Sequence, residues 1–143
     1  MERNQKKFVR NENDKKEGTH FSLRAAFRCA GSGLYYAVIT QRNIAIQIGI
    51  SVFAILLGFL LSLPLFSWLA IIVCIALVLA AECINTAIES VVDLVSPEYT
   101  DLAKHAKDCA AAGVLICSLC SLIVACLVYG QALISALKAG SFI

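Results

Sequence analysis

Four side chains able to do chemistry interrupt the apolar sequence ALVLAAECINTAIESVVDLV: Glu82, Asn85, Glu89 and Asp93, with Thr86 among them. At 100° per residue of helix they fall within roughly 100° of arc, forming one polar stripe on an otherwise oily rod. A charge inside a bilayer is expensive, roughly 2.5–3.5 kcal/mol at the centre and less toward the interface. These groups must therefore face protein or water. A stripe crossing the boundary between oil and water can touch a lipid headgroup at one end and a cytosolic solute at the other. Beyond a short break, Lys107 and Asp108 return to the same depth. Glu82, the least solvated acid, is best placed to accept a proton as a general base. Glu89 and Asp108 supply the hard oxygens that Mg²⁺ takes together with substrate phosphates. Lys107 offers a phosphate a point charge. Base, metal ligand and cation together describe phosphoryl transfer to a lipid hydroxyl. Asn85 and Thr86, taken alone, fit a plain adhesive between helices equally well. Several carboxylates and a lysine clustered at one depth do not call for that use.

Three apolar helices are expected to hold these residues. The first runs from Ile44 to Leu63, about the 20 residues a bilayer core requires, and Ser62-Leu63-Pro64 ends it, since Pro64 cannot continue a helix without losing a backbone bond. The second runs from Ser67 to Val95, stopped by Ser96-Pro97. It outlasts the hydrocarbon by roughly eight or nine residues. Starting at the outer boundary it leaves the core near Ala87, so Glu82 lies inside the edge while Glu89 and Asp93 stand at the headgroups. The third covers Asp108 to Tyr129, with residues 131–143 a short tail. Upstream, Leu23, Ala26, Phe27, Ala30 and Leu34 repeat at helical spacing, with Arg24 and Arg28 on another face. Residues 22–40, with Ser22 as N-cap, thus read as an amphipathic helix, either lying on the membrane surface or packed on its own protein. Residues 1–20 are polar, mixed in charge and without an apolar period, the pattern of a disordered tail. One domain, residues 21–130, results: all-α, three transmembrane helices plus the N-terminal surface helix.

With 59% hydrophobic residues the chain is too apolar for an ordinary soluble domain. Nine of the twelve Lys and Arg residues precede Ile44, while the turn at 62–67 carries none and the 96–108 loop holds Lys104 and Lys107. The positive-inside rule then sets the N-terminus and the 96–108 loop in the cytoplasm, the 62–67 turn and the C-terminus outside. No basic patch interleaved with aromatics argues for nucleic acid. The first apolar run starts only after about forty residues, so no signal peptide is expected. Six of the seven cysteines lie in apolar helical sequence, where free Cys packs as a small hydrophobe. Cys117 and Cys120 form a CxxC with no His or second CxxC beside it, so packing is the reading there too.

The stretches ECINTAIESVVD and SPEYTDLAKHAKDCAAAGVL, with a weaker upstream FRCAGSGLYYAVITQRN, resemble the small prokaryotic integral-membrane lipid kinases, the diacylglycerol kinase and undecaprenol kinase family. The resemblance covers about residues 22 to 129. It implies a homotrimer in the bacterial cytoplasmic (inner) membrane, with ATP–Mg²⁺ sites shared between subunits and a membrane lipid alcohol as acceptor. By motif position Glu82 matches the general base, Asn85 its positioning partner, Glu89 the principal metal-binding carboxylate and Asp93 a supporting acid. Lys107 and Asp108 match a nucleotide-contacting pair, Glu98, Tyr99 and Thr100 a loop that touches the nucleotide, and Cys29 a nucleotide contact of variable side chain. Where the family most often carries a second metal-binding Glu, this chain has Gln41, whose amide oxygen can coordinate Mg²⁺ with one less negative charge. That departure is the one residue favouring a different expectation, a catalytically degenerate membrane subunit that binds nucleotide or partners without turnover. Neither a Gly-rich phosphate loop nor the motifs of soluble kinases are present. Diacylglycerol and undecaprenol both present one hydroxyl above apolar tails, and the generic Leu, Ile, Val and Ala of the spans do not choose between them.

Overall fold

The computed structural model describes residues 23–138, so the N-terminal tail and Ser22 lie outside the described residues. Four helices follow in order: α1 (Leu23–Thr40), α2 (Arg42–Leu60), α3 (Leu65–Val95) and α4 (Asp101–Lys138). The described residues divide into two units, one ending at Gly33 and the other beginning at Leu34. The first contributes the opening turns of α1, and the second contains everything else described here. All seven cysteines are free.

The helices α2, α3 and α4 are each long and apolar enough to cross a membrane. At 1.5 Å per residue they measure about 28, 46 and 57 Å. Few of their residues are covered. Only Ile44 and Gly58 are buried on α2, four residues on α3 and none on α4, while Phe53, Phe59, Leu77, Ile84, Leu122 and Leu127 stand largely exposed. Such a surface is suited to lipid or to other apolar helices and not to water.

The α2–α3 connection is tight for a stated reason. Leu63 N–H donates to Gly58 O and Ser62 N–H to Phe59 O, both at 3.1 Å, and Ser62 takes the left-handed conformation (φ 50°). This is the Schellman closure of a helix, with Ser at the position where Gly is commonest. Pro64, extended at φ −69° and ψ 160°, then caps α3. Gly58 lets the two helices approach, because a Cβ there would stand 2.9 Å from the Trp68 ring. Trp68 also meets Phe59, ring centroids 4.7 Å apart. α2 therefore stops at Leu60, three residues short of the expected end, because closing the helix consumes Leu61 to Leu63.

α4 is longer at both ends than the expected span of 108–129. It starts at Asp101 because the Thr100 hydroxyl accepts the Ala103 N–H at 3.2 Å, an N-cap bond, and because DLAKHAKDCAAA is mostly Ala, Leu and Lys, good helix formers. It continues to Lys138, so most of the expected tail is helical. Apolar sequence marks where lipid begins, whereas the cap marks where the helix begins, and here they differ by two turns.

Candidate functional site

The stripe on α3 turns toward α2. Glu82, Asn85 and Thr86 are buried, at 1, 7 and 4% exposure, and Glu89 is half-buried. They meet two amides of α2 and its approach. Gln41 occupies the break between α1 and α2, extended at φ −109° and ψ 110°, and makes no capping bond to α2. Its Nε2 instead donates to Glu89 Oε2 at 2.9 Å, across 48 residues of sequence. Asn85, one turn before Glu89 on α3, donates Nδ2 to Glu89 Oε1 at 3.0 Å. Each carboxylate oxygen of Glu89 thus receives one amide. About two turns inward on α3, Gln47 Nε2 lies 3.4 Å from Glu82 Oε2, a long and weak bond. Thr86 adds no support to that carboxylate, since its hydroxyl donates to the backbone oxygen of Glu82 at 2.9 Å.

Among the described residues two buried side-chain oxygens have no partner: Asn85 Oδ1 and Gln47 Oε1. Gln47 was not anticipated from the sequence. The available signal was a second amide six residues beyond Gln41, inside an otherwise almost wholly apolar span. Gln47 also lines a cavity of about 240 Å³ between α2, α3 and α4, with Ser51, Cys74, Ser118 and Ser121 on its walls. One amide therefore stands between that cavity and Glu82.

A second group forms where α3 passes into α4. A pocket of about 290 Å³ is lined by Asp93, Glu98, Tyr99, Thr100, Lys107 and Asp108, together with Lys104. Every residue of the α3–α4 turn expected to touch nucleotide, and the Lys107–Asp108 pair, therefore shares one concavity with Asp93. Within it Lys107 Nζ donates to Asp93 Oδ1, joining α4 to α3. Lys104 donates to Asp108 Oδ2 at 2.8 Å, one helical turn apart. Tyr99 donates its hydroxyl to Asp101 at 3.2 Å, and Ser96 donates to Glu98 O at 3.0 Å. The Thr100 hydroxyl serves as the α4 cap, so its local role is structural.

Lys104 and Asp108 stand in the opening turns of α4, ahead of the apolar run that starts at Cys109, and both are exposed. Hydrogen bonding to Lys104, and then its charge, holds the Asp108 carboxyl below its ordinary value. The same bond and charge raise Lys104. Both side chains are exposed, so the pair is weak in energy and serves chiefly to orient.

The two acids expected to supply metal oxygens, Glu89 and Asp108, have different partners: the first is bound by amides, the second by Lys104. Among the described residues no three His, Cys, Asp or Glu side chains gather as a metal cluster. The set is Glu89's own carboxylate and the amides of Gln41 and Asn85. Once the amides present oxygen, that is a hard-oxygen donor set, and Mg²⁺ accepts one or two carboxylates completed by water and phosphates. The residues present therefore fit such an ion, with Glu89 at its centre. Cys29 is half-buried on α1 and belongs to the first unit.

A profile of the prokaryotic diacylglycerol kinase family matches residues 28–129. A diacylglycerol kinase of Synechocystis sp. is 42% identical over 104 residues, covering 72% of this chain and 59% of that protein. An undecaprenol kinase of Bacillus subtilis is 34% identical over 104 residues, covering 73% of this chain and 85% of the relative. A diacylglycerol kinase of Escherichia coli is 42% identical over 53 residues, 37% of this chain and 43% of its own length. The chain thus spans most of the Bacillus protein but little more than half of the Synechocystis one.

Proposed function

The chain belongs to the prokaryotic diacylglycerol kinase family, and from that premise we propose that it phosphorylates a membrane lipid alcohol with ATP. The relatives named diacylglycerol kinase and undecaprenol kinase bracket the acceptor, one hydroxyl held at the interface above apolar tails. The observation that carries the reading is the arrangement along α3. A buried acid, Glu82, is followed by an amide-bound acid, Glu89, and then by Asp93 in a pocket with Lys107. One end of this row suits an oily alcohol and the other a soluble polyphosphate.

In the proposed reaction the Glu82 carboxylate accepts the proton of the lipid hydroxyl. The freed oxygen attacks the γ-phosphorus in line, the bond from that phosphorus to the β–γ bridging oxygen breaks, and ADP leaves. Burial of Glu82 keeps competing water away from the proton transfer. Asn85 and Asp93 act as positioning residues, the first through Glu89 and the second through Lys107. Lys107 offers the polyphosphate a cation, and Glu98, Tyr99, Thr100 and Asp108 form the walls of the nucleotide pocket. Glu89, with Gln41, would hold Mg²⁺, which when bound offsets charge on the transferring phosphoryl group. The working form is a homotrimer with shared sites in the bacterial inner membrane. The N-terminus and the α3–α4 turn face the cytoplasm, and α1 lies on the membrane surface.

The test is transfer of γ-labelled phosphate from ATP to diacylglycerol and to undecaprenol, side by side in mixed micelles. Label in a lipid-phosphate product is expected, and the better acceptor names the substrate. One observation favours the second reading, a non-catalytic subunit: Gln41 replaces a carboxylate and is already bonded to Glu89. Nucleotide binding without label in either lipid would select it.

A further inference from the structure

Asn85 carries an oddity that the proposed reaction does not use. It is more than nine-tenths buried, its Nδ2 is held by Glu89, and its Oδ1 has no partner. A buried carbonyl left unpaired costs about 1–3 kcal/mol, and near hydrocarbon no bulk water relieves it. A side chain that only supported Glu89 would need no such oxygen. Gln41, in the break before α2, meets the same carboxylate, also through its nitrogen. Both amides thus point their donors at Glu89 and carry an acceptor on the same fork.

Resting on the reading that Glu89 holds a divalent cation, we propose that Asn85 Oδ1 is a direct ligand of that cation. The cation then sits in a singly charged, all-oxygen cradle of Glu89, Asn85 and Gln41. A half-turn about Cβ–Cγ exchanges Nδ2 for Oδ1 with almost no change of shape. For Asn85 the turn gives up the bond to Glu89 and no other, because Oδ1 has none to lose. A cation arriving between Glu89 and the amides inverts the electrostatic preference. An amide nitrogen suits the bare carboxylate, and an amide oxygen suits the carboxylate with its ion. Since the partners of both Glu89 oxygens are amides, and Glu89 joins no group of three His, Cys, Asp or Glu among the described residues, neutral oxygens complete the protein's share. One negative charge binds a divalent cation weakly, so tight binding waits for the phosphates of the nucleotide. Ion and nucleotide are therefore taken up together.

Binding of Mn²⁺ to the purified detergent-solubilised protein, read as loss of the free-ion electron paramagnetic resonance signal, tests this without turnover. It is measured with and without a non-hydrolysable β,γ-methylene ATP. Wild type should bind Mn²⁺ at least tenfold more tightly with the analogue present. Asn85→Ala and Asn85→Asp both delete the Nδ2 donor, so a merely supporting Asn85 predicts weaker binding in both. As a ligand it predicts opposite signs: about tenfold weaker for Asn85→Ala, and several-fold tighter for Asn85→Asp, which keeps an oxygen and adds charge. Should the alanine variant fail to fold, weakened binding in Asn85→Asp alone overturns the proposal. Weakening in Glu89→Ala with no change in either Asn85 variant overturns the Asn85 assignment and leaves the functional reading standing. No change in Glu89→Ala removes the metal from Glu89 and the proposal with it.

Discussion

Glu82→Gln separates proton transfer from architecture better than any other substitution in this chain. The side chain is 1% exposed, and its one side-chain bond is the 3.4 Å approach of Gln47. A bond of that length contributes well under about 1 kcal/mol. Glutamine keeps the volume and an oxygen that can still accept from Gln47, and it removes a buried charge. Thr86 bonds to the backbone oxygen of residue 82 and does not register the change. Folding stability should thus move by less than about 1 kcal/mol. A positioned base contributes about 10²- to 10⁴-fold, equal to about 2.7–5.4 kcal/mol of barrier at 1.36 kcal/mol per decade. The assay is labelled-phosphate transfer in mixed micelles, with kcat and the KM for ATP separated, beside thermal melting followed by circular dichroism. The variant should lose at least a hundredfold in kcat while KM for ATP stays within about twofold. A kcat within threefold of wild type would refute the base assignment.

Three further expectations follow from single contacts. Lys107→Met breaks the tie to Asp93 and removes one of the pocket's two α4 lysines, so KM for ATP should rise about tenfold or more with the helices intact; an unchanged KM locates the polyphosphate elsewhere. Gly58→Ala drives a methyl against the Trp68 ring and Leu63, and should lower stability by about 1–3 kcal/mol in thermal melting, whereas a neutral result would mean that the α2–α3 turn is slack. The Lys104–Asp108 pair lowers an acid and raises a base. Its contribution from Asp108 is present above that group's ordinary value of 3.8 and fades as pH falls through the lowered one, while that from Lys104 is present below 10.5 and fades as pH rises through the raised one. Between about pH 5 and pH 9 the pair is constant, so Asp108→Asn should leave the shape of the pH–stability curve unchanged there.

Much of this arrangement is legible in the linear chain because a helix of known pitch converts spacing into a face. Glu82, Asn85, Thr86 and Glu89 share a side of α3 as their intervals require, and Pro64 and Ser96-Pro97 mark its ends. Family-specific positions single out Gln41, and its bond to Glu89 brings it to the expected neighbour. What spacing cannot reveal is the rotation of one helix against another. The Gln47–Glu82 approach spans 35 residues and depends on how α2 faces α3. The start of α4 was obscured because hydropathy registers Cys109, while the helix is begun by the Thr100 hydroxyl. Lys104 looked like a loop residue for that reason, and its pairing with Asp108 appears only once both lie on one helix.

The depth and facing of α3 can be read most directly by cysteine accessibility. With the native cysteines replaced, Glu82→Cys and Glu89→Cys are probed in sealed inside-out and right-side-out vesicles, using a membrane-impermeant maleimide and a lipid-soluble quencher. Position 89 should be labelled from the cytoplasmic side only, and position 82 should be shielded from both reagents. Labelling of position 89 from the outer side, or quenching of position 82 by the lipid phase, would contradict a row of acids at the inner rim of the membrane.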